Sequence, residues 1–297
     1  AVALGTLLVW PGVAAGPLPA LVAARERLAT PEAGDDRALA TAGGTLVRFA
    51  RDVRAATPET GGFPGGAPLP EYGVLVFPGI GHTFLYEAQR ATPAGNLGPY
   101  AGAANFEAAR TFYGLTEEGE ALAVAARLRT RYVATNLVAS EGRETLLHRL
   151  HVEDGNAAGG RPRFEHFRLV TEGPAGGLPL AVAMGRRHVP TPIPYKLFEI
   201  VAGADLHVQA EAGERVTAHI ELQTPTGRRF RYVAGADAGS DGAARLRLPY
   251  ATHTRVPTRP TTAWRIQAGD RVAALPVFDA DVQDGRRVFL DLRAQTP

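Results

Sequence analysis

Apolar residues recur at helical spacing over Asp35 to Ala56, where Leu39, Leu46, Val47, Phe49 and Val53 would share one face, with Asp35 or Asp36 as cap. Pro58 ends that helix, and the Gly/Pro-rich stretch 61–70 reads as a loop. Tyr72 to Phe77 (YGVLVF) is a short buried strand, Pro78 to Gly81 a tight turn, and His82 to Arg90 a helix. Helices follow at Phe106 to Tyr113 and Thr116 to Leu128, the second with Thr116 as N-cap and Glu117 and Glu118 in its first turn, facing the positive end of the helix dipole. Strands are expected at Arg131 to Asn136, Leu146 to Val152, Phe164 to Thr171 and Tyr195 to Val201, which makes a mixed sheet.

After Gly203 the texture changes to short alternating runs split by Gly, Pro and Asp. They fall at 206–210, 215–222, 229–233, 244–248, 263–267, 271–276 and 288–292. Seven such runs at this spacing read as a β-sandwich or small barrel. The fold class is therefore α+β: a mixed α/β domain over 25–202, then an all-β domain over 203–297. Residues 1–24 carry no charge. They read as the end of a last transmembrane helix and its exit segment, so the sequence is expected to begin inside a longer protein.

Composition narrows the chemistry. The chain of 297 residues has no Cys, which removes disulfide frameworks, zinc fingers and thiol nucleophiles. Of its 32 basic residues only Lys196 is a lysine, and the arginines are scattered, so no nucleic-acid footprint forms and no nucleic-acid partner is expected. GxG at Gly79 to Gly81 lacks the third glycine of a dinucleotide fingerprint, Phe84 standing there, and no GK[ST], GxSxG or HExxH occurs. His148 and His151 would point to opposite faces of a strand and cannot share a metal. Asp279, Asp281 and Asp284 before Gly285 are spaced one residue too long for an EF-hand, and read as an ordinary turn.

Several segments resemble, in order, those of STT3/AglB/PglB-type oligosaccharyltransferases. Phe49 to Glu59 (FARDVRAATPE) is similar to the family's helix outside the membrane, and Tyr72 to His82 (YGVLVFPGIGH) to the segment that holds its WWDYG-type signature. Arg90, Ala94 to Gly98 (AGNLG), Arg131 to Asn136 (RYVATN), Leu147 to Gly155 (LHRLHVEDG), His166 to Glu172 (HFRLVTE) and Lys196 to Gly203 (KLFEIVAG) follow in the family's order. Gly213 to Ala218 (GERVTA), Thr226 to Tyr232 (TGRRFRY) and Ala244 to Tyr250 (ARLRLPY) resemble its terminal β-domain.

The resemblance implies the membrane-external C-terminal region of a glycosyltransferase, periplasmic or extracellular, whose catalytic residues lie in an absent membrane domain. Its acceptor-peptide site would involve Phe77, Pro78, Gly79, Ile80, Gly81 and His82. No catalytic residue, metal ligand or cofactor is expected in these residues, and a divalent metal, Mg or Mn, is expected in the full-length enzyme. Implied partners are its own transmembrane domain, a polypeptide with Asn-x-Ser/Thr, and lipid-linked oligosaccharide. Aligning Gly81 with the signature's Gly puts Gly79 at its Asp, a departure that also admits a non-catalytic peptide- or glycan-binding module.

Overall fold

The computed structural model describes residues 42–60, 70–136, 142–174 and 193–294. The expectations for 1–24, for Asp35 and Asp36, and for most of the 61–70 loop lie outside them. Among the described residues no helix is long and apolar enough to cross a membrane.

Helix α1 (Ala42–Ala56) precedes strand β1 (Gly73–Leu75), and helices α2 (Ala103–Phe112) and α3 (Glu118–Arg127) precede β2 (Thr130–Asn136). Helix α4 (Leu146–His151), β3 (Phe167–Glu172) and β4 (Tyr195–Ile200) complete the first half. The sheet order is β1-β2-β4-β3; β1 and β2 run parallel, and the β2–β4 and β4–β3 pairs are antiparallel.

Both faces of this sheet are covered, which is why its strands read as continuous apolar runs rather than alternating ones. Phe49, Val53, Val74, Phe84, Tyr132, Ala134 and Leu197 form one core against α1. Leu75, Phe112, Tyr113, Val133, Leu146, Leu150 and Phe198 form the other, against α2, α3 and α4. Neighbours in a strand, such as Val74 and Leu75 or Leu197 and Phe198, thus serve opposite cores.

The second half is built of β5 (Ala204–Gln209), β6 (Arg215–Gln223), β7 (Arg229–Asp237), β8 (Ala243–Leu248), β9 (Arg259–Pro260), β10 (Trp264–Ala268), β11 (Arg271–Leu275) and β12 (Arg287–Asp291), with helix α5 (Asp279–Asp284) before the last strand. One sheet has the order β11-β10-β6-β7 with β9 paired to β6, and the other has the order β12-β5-β8. Alternation is clean here: Val216, Ala218, Ile220 and Leu222 of β6 turn inward to meet Leu206, Leu246, Trp264 and Ile266. The buried Trp264 indole donates to Tyr250 O at 2.8 Å, so its one polar atom is satisfied.

Three local expectations are corrected. Residues 146–152 do not form a strand. Leu146 and Leu147 each lie about one helical turn from Leu150, and Thr145 caps α4 by accepting from His148 N–H at 3.3 Å. Thr145→Ala is expected to cost about 1 kcal/mol in urea unfolding; an unchanged midpoint would show that the cap contributes nothing. Thr116 does not cap α3, which starts after Glu117 with no side-chain cap bond, because the Thr116 hydroxyl turns to Glu117. Glu118 instead accepts the backbone N–H groups of Glu165 and His166, both at 2.8 Å. Finally, Asp279 to Asp284 is a helix ended by Gly285 at φ 66°, not a turn.

Candidate functional site

The segment Phe77 to His82 leaves the C-terminal end of β1, the end at which open α/β sheets offer crevices. Pro78–Ile80 is a single 3₁₀ turn, closed by Ile80 N–H donating to Phe77 O at 3.0 Å. The helical run then continues through Gly81–Thr83 and a π-helical turn, Phe84–Ala88, ending at Gln89 in the left-handed region. Buried Arg90 ties this run to the end of α1: its guanidinium donates to Thr57 Oγ1 at 2.9 Å, Thr57 O at 2.8 Å and Arg54 O at 3.1 Å.

Each of the six residues has a distinct environment. Phe77 is 39% exposed, its ring 6.4 Å from that of Tyr113, whose hydroxyl lies 2.8 Å from Ala134 O and fastens α2 to β2 behind the segment. Pro78 is buried, and Ile80 packs on the α1-side core. Gly79 stands open: a Cβ there would touch only the Phe77 ring, at 3.6 Å. Gly81 is the opposite case, with the backbone of Ala94 and Gly95 directly against it. His82 is exposed, its ring lies over Gly95, and its N–H points to Asn96 Oδ1 at 3.5 Å. Leu97 and Tyr100, in the chain just after Asn96, are exposed.

The histidine pair does not form a metal site, for a reason other than the one expected. In helix α4 the two residues are three apart, which would suit shared ligation. His151, however, is buried with both ring nitrogens used, Nδ1 at 2.9 Å from Thr135 Oγ1 and Nε2 at 2.9 Å from Ile193 O. Burial, aided by the positive charge of Lys196, lowers its pKa to about 3. A neutral folded histidine contributes stability that is lost as pH falls from about 6.5 toward 3, since the unfolded chain takes up the proton first. Among the described residues no group of three or more His, Asp or Glu is arranged to hold a metal ion.

The comparisons with known proteins point to one family type. Residues 203–288 match the archaeal glycosylation protein B long peripheral domain. Dolichyl-phosphooligosaccharide-protein glycotransferase 3 of Archaeoglobus fulgidus is 30% identical over 98 residues, 33% of this chain and 11% of that relative. These matches support an STT3/AglB-type C-terminal region. The archaeal oligosaccharyltransferase AglB from Archaeoglobus fulgidus, in complex with an inhibitory peptide and a dolichol-phosphate, shares the fold with a TM-score of 0.65 at 18% identity, over 84% of this chain and 42% of that one. The Archaeoglobus fulgidus oligosaccharyltransferase in complex with Zn and sulfate superposes with a TM-score of 0.64 at 17% identity, over 83% and 46%. The chain thus spans about a tenth of the curated relative's length and less than half of the solved chains.

The segments that carry the resemblance converge on two ion-pair networks that their sequence pattern did not single out. Asp154 accepts from Lys196 Nζ at 2.6 Å and from Arg228 at 2.7 and 2.9 Å, and Arg228 also donates to Glu172 at 2.7 Å. Arg168 pairs with Glu199 at 2.7 Å and with Asp279 at 2.8 Å, and Arg131 joins Glu199 at 2.6 Å. Arg228 and Asp279 come from the β-sandwich and the rest from the α/β half, so both networks join the halves. Charges at Lys196, Glu199, Arg168 and Glu172, set inside apolar strand runs, were the available signal, since a buried charge needs a partner.

Proposed function

We propose that the chain is the membrane-external C-terminal region of an oligosaccharyltransferase, which transfers a lipid-linked oligosaccharide to the side-chain amide of Asn in an Asn-x-Ser/Thr polypeptide. Phe77 to His82 form part of the acceptor-peptide site, the β-sandwich braces the α/β half that carries it, and bond-making belongs to a transmembrane domain of the same protein. The observation that carries this reading is the long peripheral domain match over 203–288, on the same chain as the signature-like segment. The region itself is periplasmic or extracellular.

The acceptor step asked of these residues is recognition. A Ser or Thr hydroxyl is discriminated when a polar group would otherwise be left unpaired, and an apolar wall does this poorly. Gly79 brings no side chain; the polar groups bordering it are backbone amides, His82 and Asn96. Phe77 and Ile80 supply apolar surface for the chain around the hydroxyl. A divalent metal, Mg or Mn, belongs to the membrane domain in this reading.

The test is glycan transfer by the full-length membrane protein to Asn-x-Ser/Thr peptides and to their Ala counterparts, with Gly79→Asp alongside. The Asp side chain fits the open space at residue 79. The parent is expected to transfer with preference for the hydroxylated peptides, and Gly79→Asp to raise that preference about tenfold, the worth of one charged hydrogen bond. Absence of transfer by both proteins across lipid donors and metals would sink the reading in favour of a non-catalytic module.

A further inference from the structure

The α/β half carries a second concave surface, at the end of its sheet away from the signature segment. Gly73, which opens β1, and Arg129, which precedes β2, line a cleft of about 210 Å³ together with Tyr72, Pro93, Asn105 and Arg127. The signature segment leaves the other end of β1, and none of its six residues lines this cleft.

The charge here is uncompensated. Arg127 and Arg129 are exposed, and neither side chain forms an ion pair or a hydrogen bond among the described residues. No acidic residue lines the cleft. Ala123 and Val124 stand four and three residues back from Arg127 along α3, so the helix offers it no carboxylate. Glu71, the acidic residue nearest the lining in the chain, pairs with neither arginine.

The backbone points the same way. Helix α3 ends with Leu128 as C-cap, and Arg129 follows in the left-handed region at φ 53°, its N–H donating to Ala126 O at 3.0 Å. Glycine takes this position without steric cost, whereas arginine is held there against one. The helix dipole favours a cation at this end, but Arg127 in the last turn already supplies it. A side chain kept on a strained backbone, with its charge unpaired and on the wall of a cleft, marks a functional position.

We propose that this cleft binds a tetrahedral oxyanion, a phosphate group either free or carried on a small molecule, between the guanidinium groups of Arg127 and Arg129. Two unpaired positive charges match a dianion better than a single carboxylate, and each planar guanidinium presents paired N–H donors spaced for two phosphate oxygens. The side-chain amide of Asn105, also exposed and without a partner among the described residues, adds a donor, and Tyr72 and Pro93 form the less polar wall. The volume equals that of roughly seven waters at about 30 Å³ each, room for one such group with a short substituent.

The experiment follows backbone amide signals of the ¹⁵N-labelled 297-residue chain at pH 7 as sodium phosphate replaces sodium chloride at constant ionic strength. Saturable shifts are expected at Gly73, Asn105, Arg127 and Arg129. Arg127→Gln and Arg129→Gly are each expected to weaken phosphate binding at least tenfold, the worth of one charged hydrogen bond. Glycine suits the backbone at residue 129, so Arg129→Gly should keep the parent's urea midpoint without phosphate and lose the rise that phosphate gives the parent. Arg265→Gln, which removes an exposed arginine of β10, should leave affinity within about twofold. Methyl phosphate in place of phosphate separates the two sources: tighter binding of the ester assigns a phosphoryl group on a larger molecule, and tighter binding of phosphate assigns the free ion. Non-saturating shifts, or parental affinity in both Arg127→Gln and Arg129→Gly, would overturn the proposal.

Discussion

Asp154→Asn is expected to destabilise the chain by about 3–5 kcal/mol, the cost of leaving a buried charge without its counterpart. Asp154 sits at φ 54°, a conformation asparagine also tolerates, so the substitution removes charge and little else. It would leave Lys196, 5% exposed at its side chain, and Arg228 sharing only Glu172. Lys196→Met is the comparison: it removes the cation, keeps apolar volume, and leaves the paired contacts of Arg228 to Asp154 at 2.7 and 2.9 Å. That variant is expected to lose less, because Asp154 keeps Arg228 as its counter-ion and no buried charge is left unpaired.

The pH dependence carries its own sign. Burial already lowers the Lys196 pKa, and loss of the Asp154 charge would lower it further. The folded variant then binds fewer protons than the unfolded chain below the ordinary lysine range, so its stability rises with pH and the deficit narrows toward pH 10.5. Urea unfolding of both variants at pH 7 and pH 9.5 reads this directly. Equal losses for the two, or a deficit that widens at pH 9.5, would mean that Asp154 is not the counter-ion of a buried lysine.

The second large effect is expected from Gly81→Ala. The added Cβ would lie 2.8 Å from the Cα of Gly95 and closer still to the carbonyl of Ala94. Both are backbone atoms, so no rotamer change relieves the contact, and the 94–97 loop must part from the helical run at the site. Overpacking of this kind costs about 1–3 kcal/mol. It also shifts His82 and Asn96 relative to each other, so transfer by the full-length protein should fall at least tenfold. Gly79→Ala, two residues away in open space, should leave stability within about 0.5 kcal/mol. If Gly81→Ala matched the parent in unfolding and in transfer, the close packing of residue 81 on residues 94–95 would have no part in the site.

Much of the architecture could be read from local pattern. The inward alternation of Val216, Ala218, Ile220 and Leu222 has one physical outcome on a half-buried sheet, and the Phe49 and Val53 face of α1 has one on a helix. The signature-like segment was legible too, because strand, Pro-Gly turn and helix are written in consecutive residues. Where two periods fit equally the reading failed: LLHRLH satisfies both a strand and a helix, and the Thr145 cap, with the α2–α3 side of the sheet ready to receive Leu146 and Leu150, settles it as α4. Glu118 lies in the first turn as its sequence position indicates, but its acceptance of the backbone N–H groups of Glu165 and His166, some fifty residues on, is written nowhere nearby.

The ion-pair networks and the contacts of Asn156 with β7 belong to the same class. Lys196 with Asp154, Arg168 with Asp279, and Asn156 with Arg231 and Val233 are partners separated by 42 to 111 residues. Periodicity reports which face of an element is buried. Which charge or amide from a distant segment arrives at that face depends on the packing of the two halves against each other.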